Sequence, residues 1–165
     1  MDERMKEALH RAYEGEAKAA LRLKVFAKKA EEEGFHQIAK LFRVIAFSEE
    51  IHGERALRVL REIGSTEENL KESFESETHV AHVAYDGFLK LAYDLGEKAA
   101  AWHFTQSRDV EEGHAKLYKH ALNDLMEDRV TTYYVCSVCG YVSDGTLPEA
   151  CPVCGAKKEQ FVRLD

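Results

Sequence analysis

Four long stretches of this chain carry apolar residues every three or four positions, and each stripe is interrupted midway by one glutamate: Glu16, Glu49, Glu77 and Glu111. Glu49 and Glu111 are each followed three residues on by a histidine, His52 and His114, on the same helical face. Glu16 and Glu49 are 33 residues apart and Glu77 and Glu111 are 34 apart, so each half offers one single Glu and then a Glu-x-x-His on the next helix. A duplicated helix pair folded about a two-fold brings all six side chains together. Four carboxylates and two imidazoles cannot stay ionised and unpaired inside a bundle, because desolvation costs many kcal/mol per charge. The stripes hold no Lys or Arg, so two divalent metals are implied, with two of the four glutamates as bridges.

The stripes themselves read Leu9, Ala12, Tyr13, Glu16, Ala20, Leu23, Ala27; then Ile38, Leu41, Phe42, Ile45, Glu49, His52, Ala56, Leu60. The third runs Leu70, Phe74, Glu77, Val80, Ala81, Ala84, Tyr85, Phe88, Leu91, and the fourth Ala100, Phe104, Ser107, Glu111, His114, Tyr118, Ala121, Leu125. Breaks fall at Gly34, at the "GSTEEN" segment, where Ser65-x-x-Glu68 has the form of a capping box, and near Gly96. Helices of about 25 to 30 residues, roughly 40 Å long, with short connections predict an antiparallel four-helix bundle. Glu-x-x-His alone selects nothing, since it also occurs at Glu7/His10 and Glu33/His36. Helical phase does select. Glu7 lies about two and a half turns before Glu16, on the opposite side of its helix, and Glu33/His36 straddles the Gly34 break. One Glu from each of two helices with a Glu-x-x-His from each of the others is the constellation of di-iron and di-manganese carboxylate sites in ferritin-like bundles.

Composition changes after Asp128. No proline precedes it, whereas the segment "VTTYYVCSVCGYVSDGTLPEACPVCG" is β-branched, aromatic and turn-rich. The predicted domains are therefore a helical bundle over 1–128, a linker over 129–133 and a small β and loop module over 134–165. All four cysteines lie in that module as Cys136-x-x-Cys139 and Cys151-x-x-Cys154, two knuckles able to close a tetrahedron of thiolates. The pattern means metal before disulfide in a reducing compartment. Iron and zinc both fit four thiolates. Iron next to a di-metal bundle makes chemical sense as an electron feed, and the glycines of "CGY" and "CPVCG" let backbone N–H groups turn toward the sulfurs.

A net charge of −7 and a pI near 5.6 argue against nucleic acid or anionic lipid as a partner. No apolar run reaches the roughly 20 residues of a membrane span, and "MDERMKEALH" lacks the apolar core of a secretory signal, so the chain reads as cytoplasmic.

These residues resemble the rubrerythrin family, a ferritin-like di-iron bundle followed by a rubredoxin-type module, essentially from end to end. The motifs that carry the likeness are "AYEGEAKAA", "FSEEIHGE", "ESETHVAHVAYDGF", "VEEGHAKLY" and "YVCSVCGY…CPVCGAKKEQF". The resemblance implies reduction of hydrogen peroxide to water at the di-iron site, in protection against oxidative stress. Electrons would enter through an Fe(Cys)4 centre from a small redox protein served by an NAD(P)H-dependent reductase. It also implies a homodimer in which the cysteine module of one subunit approaches the di-iron site of the other.

On this reading Glu49 and Glu111 bridge, His52 and Glu16 hold one iron, and His114 and Glu77 the other, with manganese or zinc as the alternative metals. Tyr85 is a candidate hydrogen-bond donor behind these ligands, or a packing residue. Two departures from the family stand out. Val80 replaces a further glutamate, which in the family exchanges with the second-helix histidine as one iron shifts with redox state, and Leu23 replaces a tyrosine. His79 and His82 point about 200° and 140° away from Glu77 and do not compensate. His36, His103 and His120 converge on nothing, and Trp102 reads as packing. Without the movable glutamate, a ferroxidase or dioxygen-reducing site is the first rival. The second is an iron-handling bundle with a structural zinc tail.

Overall fold

The computed structural model describes residues 1–123 and 130–164, and Leu125 and the expected boundary at Asp128 and Arg129 lie outside the described residues. The chain divides into two compact units, Met1–Gly64 and Ser65–Asp165.

The first unit is a helical hairpin of α1 (Glu3–Glu32) and α2 (His36–Leu60). Asp2 caps α1 by accepting from the Arg4 N–H at 2.9 Å. Gly34, at φ +80°, turns the chain, and the Phe35 N–H closes on the Ala30 carbonyl at 2.8 Å. The hairpin closes on small residues. Ala20, Ala27 and Ala30 of α1 are buried, as are Ala39, Ala46, Gly53, Ala56 and Leu60 of α2. Four of these, Ala39, Ala46, Gly53 and Leu60, recur every seven residues, the period that keeps one seam against a partner helix. The inward stripe expected for α2 is thus not what closes the hairpin. Ile38, Leu41 and Ile45 are 47, 53 and 40% exposed, because the alanine and glycine seam lies about a quarter turn away and lets the backbones approach closely.

The second unit begins with α3 (Thr66–His79), and its capping box is formed as expected: the Ser65 N–H donates to Glu68 Oε2 at 2.7 Å and the Glu68 N–H to Ser65 Oγ at 3.3 Å. After α3 a π-helical turn, Val80–Ala84, leads without a break into α4 (Tyr85–Leu95). The Tyr85 N–H reaches the Val80 carbonyl, five residues back. That extra residue rotates everything beyond it by about 100° relative to a plain helix. Consequently Leu89 and Ala92 are buried while Phe88 and Leu91, two residues of the expected stripe, are 47 and 57% exposed. Gly96, at φ +71°, ends α4, and α5 (Lys98–Asn123) buries Ala101, Val110 and Ala115.

The same unit ends in a three-stranded antiparallel sheet of β1 (Tyr133–Cys136), β2 (Val142–Asp144) and β3 (Phe161–Leu164), in the order β2-β1-β3. The central strand pairs Tyr134 with Ser143 on one side and with Arg163 on the other.

Replacing Ser65 by alanine removes the side-chain acceptor that starts α3. The expected loss is about 1 kcal/mol of stability in chemical denaturation, and an unchanged midpoint would show that the cap is idle.

Candidate metal centres

The Glu-x-x-His spacing on α2 puts Glu49 and His52 one turn apart, with His52 Nδ1 3.0 Å from Glu49 Oε2. Across the hairpin His52 Nδ1 lies 3.9 Å from Glu16 Oε1. Gly53 makes this possible. A Cβ built there would stand 3.7 Å from the Tyr13 ring and 3.9 Å from the Glu16 Cβ, so any larger side chain pushes α1 away from His52. Sequence reasoning singled out His52 and passed over the glycine beside it, although its place in the seven-residue seam was the available signal.

The second triad repeats the first. His114 Nδ1 is 3.0 Å from Glu111 Oε2 and 3.9 Å from Glu77 Oε1. In each triad one ligand atom from every residue lies within 4.8 Å of the others, a span that one cation can bridge. Lysine and arginine side chains pair elsewhere: Lys24 with Glu50, Arg58 with Glu54 at 2.6 Å, and Arg108 with Asp109 at 2.9 Å. The Glu77 carboxyl is pushed up to about 7, first by burial and then by the hydrogen bond and charge of the adjacent Glu111, with His114 acting in the opposite direction. Two half-buried carboxylates side by side repel each other, and a divalent metal between them removes that repulsion. The donor set, two carboxylates and one imidazole per triad, suits iron, manganese or zinc.

Tyr85 sits in an aromatic cluster, its ring centroid 5.9 Å from that of Phe88 and 6.2 Å from that of Phe104. His79, His82, His103 and His120 are exposed, as expected of surface histidines, and His36 pairs with Glu31 at 2.6 Å. Trp102 is 62% exposed, so it does not pack as expected.

The four cysteines converge as their spacing predicts. Cys136 and Cys154 sulfurs are 3.7 Å apart and Cys139 and Cys151 sulfurs 3.6 Å, close to the roughly 3.8 Å edge of a tetrahedron with 2.3 Å metal–sulfur bonds. All four are free thiols. At Cys136 burial works against ionisation, yet the Cys139 and Val138 N–H groups donate to its sulfur and bring the thiol below its ordinary value. Burial pushes the Cys139 and Cys154 thiols up, against a backbone N–H from Tyr141 and from Ala156 respectively. Gly140, at φ +83°, supports the first knuckle and faces α5: a Cβ there would lie 3.9 Å from Val110 Cγ1.

Helices carrying two Glu, Glu-x-x-His triads and followed by a four-thiolate sheet module define a ferritin-like metal-binding fold with a rubredoxin-like domain. The family model described as "Rubrerythrin" matches residues 7–122 and that described as "Rubrerythrin, rubredoxin-like domain" matches residues 134–162. The chain belongs to the rubrerythrin family. It is 32% identical to Rubrerythrin-2 of Clostridium acetobutylicum, over 93% of this chain and 92% of that protein. It is also 32% identical to nigerythrin of Nitratidesulfovibrio vulgaris, over 94% of this chain and 84% of that protein. The solved structure of nigerythrin in its fully reduced, all-ferrous state superimposes with a TM-score of 0.61 at 29% identity, covering 96% of this chain and 86% of that one. Family membership and the two kinds of donor cluster together support iron binding by an oxidoreductase. Among the described residues no helix is long and apolar enough to cross a membrane.

Because Gly53 sets the approach of Glu16 to His52, Gly53→Leu should weaken metal binding at the first triad at least tenfold by titration, while Gly53→Ala, which the gap accepts, binds normally. Equal affinities in the two variants would show that the glycine does not set the geometry.

Proposed function

We propose that the chain is a peroxidase: it reduces hydrogen peroxide to two waters, taking up two electrons and two protons, and so protects a cytoplasm against oxidative stress. Glu16, Glu49, His52, Glu77, Glu111 and His114 would hold two irons, with Glu49 and Glu111 as the ligands shared between them, and Cys136, Cys139, Cys151 and Cys154 would hold a third. Bound there, the paired irons would supply the two electrons that reduction of peroxide consumes, and the four-cysteine iron would replace them one at a time. The residues of this chain do the rest. The four carboxylates balance the charge of the bound cations, and the two imidazoles hold them from the α2 and α5 sides. The donor is a rubredoxin-type protein or another carrier linked to NAD(P)H, and the protein works as a homodimer.

The observation that carries this reading is the placing of the cysteine module against α5, with Gly140 facing Val110, the residue next to the ligand Glu111. A thiolate centre beside a ligand helix feeds electrons inward, which a peroxidase needs and a site oxidising Fe(II) does not. Val80 favours the second reading, a dioxygen-reducing or ferroxidase site, because it leaves the third helix without a further carboxylate in that position.

The deciding experiment follows oxidation of a reduced rubredoxin-type donor by peroxide and by dioxygen on one iron-loaded preparation. Faster turnover with peroxide is expected, together with loss of donor-coupled turnover in Cys139→Ser. No peroxide-dependent oxidation of the donor would overturn the assignment. A colourless tail that does not bleach on reduction would point to zinc.

Val80 offers no ligand to compete with His52. Crystal structures of the oxidised and reduced protein should therefore both show His52 on its metal, and a metal that leaves His52 on reduction would contradict this.

A further inference from the structure

We infer that hydrogen peroxide is first held in a polar recess between α3 and α5, beside Glu77, by the hydroxyls of Ser73, Ser76 and Tyr118. The inference rests on the peroxidase reading above and adds to it the residues that select peroxide.

The recess measures about 290 Å³ and is lined by Asn69, Glu72, Ser73, Ser76, Glu77 and Tyr118. Helix geometry assembles it. Ser73 stands one turn before Glu77 on α3 and Tyr118 one turn beyond His114 on α5, so each lies on the side of its helix that carries a ligand. Ser73 and Tyr118 are half-buried, and Ser76 is exposed at the mouth. Thr78 and Thr105, on the same two helices, turn their hydroxyls back to the Phe74 and Ala101 carbonyls at 2.7 and 2.9 Å. Ser73, Ser76 and Tyr118 make no such bond among the described residues, which leaves three hydroxyls lining the recess with both donor and acceptor capacity.

The internal duplication supplies a comparison. Counted from Glu16 as from Glu77, the positions of Asn69, Ser73 and Ser76 hold Ala8, Ala12 and Gly15 in the first half; counted from Glu49 as from Glu111, the position of Tyr118 holds Ala56. The first hairpin reaches the same 3.0 and 3.9 Å ligand spacings with no hydroxyl or amide at any of these places. Neither the helices nor the ligand geometry therefore requires the polar set of the second half, and its role lies in what the recess holds.

The lining describes that molecule. Hydrogen peroxide offers two O–H donors and lone pairs on both oxygens, and a hydroxyl can answer either. A few convergent polar groups of this kind are what orient a small molecule in its site. Dioxygen has no donor and gains little from them. The exposed Glu72 carboxylate opposes anions, whereas peroxide is uncharged at neutral pH. Glu77 belongs both to the recess and to the second triad, so a molecule held by the hydroxyls already lies beside a metal-ligating carboxylate.

Two measurements test this on the full-length chain. In the iron-loaded protein, S73A/S76A and Y118F should each raise the KM for peroxide, and S73A/S76A/Y118F should raise it by about tenfold, acting on KM rather than kcat, so that selectivity for peroxide over dioxygen falls by the same factor. An unchanged KM overturns the inference, and so does an equal loss with both substrates, which is what a merely structural role would give. The second measurement needs no turnover. With Tyr118 replaced by 3-fluorotyrosine and zinc in the metal centres, the fluorine resonance should move saturably on titration with hydrogen peroxide, and S73A/S76A should weaken that titration severalfold. A resonance that does not respond overturns the inference whatever the activity. One that responds in a protein whose iron form turns over dioxygen but not peroxide would remove the peroxidase reading and leave the recess as a peroxide site.

Discussion

Carboxylates held side by side in half-buried positions need positive charge between them, and the two triads are arranged around that need. At Glu77 the need shows in a carboxyl pushed up to about 7, first by burial and then by the hydrogen bond and charge of Glu111. His114, 3.9 Å from Glu77, offsets only part of it. A dication does what a single shared proton cannot, because it satisfies both carboxylates and takes the imidazole as a neutral ligand at once. Leaving lysine and arginine out of these positions is thus part of the site, since a fixed cation there would compete with the metal.

Ligand spacing comes from helix geometry and ligand approach from the seams. The i,i+3 step gives 3.0 Å within each Glu-x-x-His pair in both units. The 3.9 Å approach of the single glutamate is also the same in both, though the helices that carry it differ. In the first unit it depends on a seam of alanines and on Gly53, which brings α1 within van der Waals contact. In the second the third helix carries a π turn from Val80, three residues after Glu77. Such a turn changes the phase of the helix beyond the ligand without moving the ligand itself. It keeps Glu77 facing α5 while the aromatic cluster of Tyr85, Phe88 and Phe104 packs in a different phase.

Much of this was legible in the sequence, and the illegible parts have a common origin. Carboxylates on apolar stripes, paired C-x-x-C knuckles and the Ser65 capping box are local patterns, and each requires only that a helix or a turn form where it is written. The buried face of α2 was harder. Ile38, Leu41 and Ile45 announce themselves by size, whereas the residues that close the hairpin are Ala39, Ala46 and Gly53, whose contribution is to occupy little space. The π turn has no signature in residue spacing, so the change of phase that leaves Phe88 and Leu91 exposed could not be read from their intervals.

The cysteine module shows how little of a metal site need be specific to one metal. Its four sulfurs stand at tetrahedral separations because two identical knuckles face each other, and backbone N–H groups reach them because glycines permit the turn. Zinc would accept the same cage. Gly140, held at φ +83°, brings the bare backbone of the first knuckle within reach of Val110, next to Glu111 of the second triad. A side chain at 140 would strain the knuckle and widen that approach together. One glycine therefore serves both the turn of the first knuckle and its approach to α5.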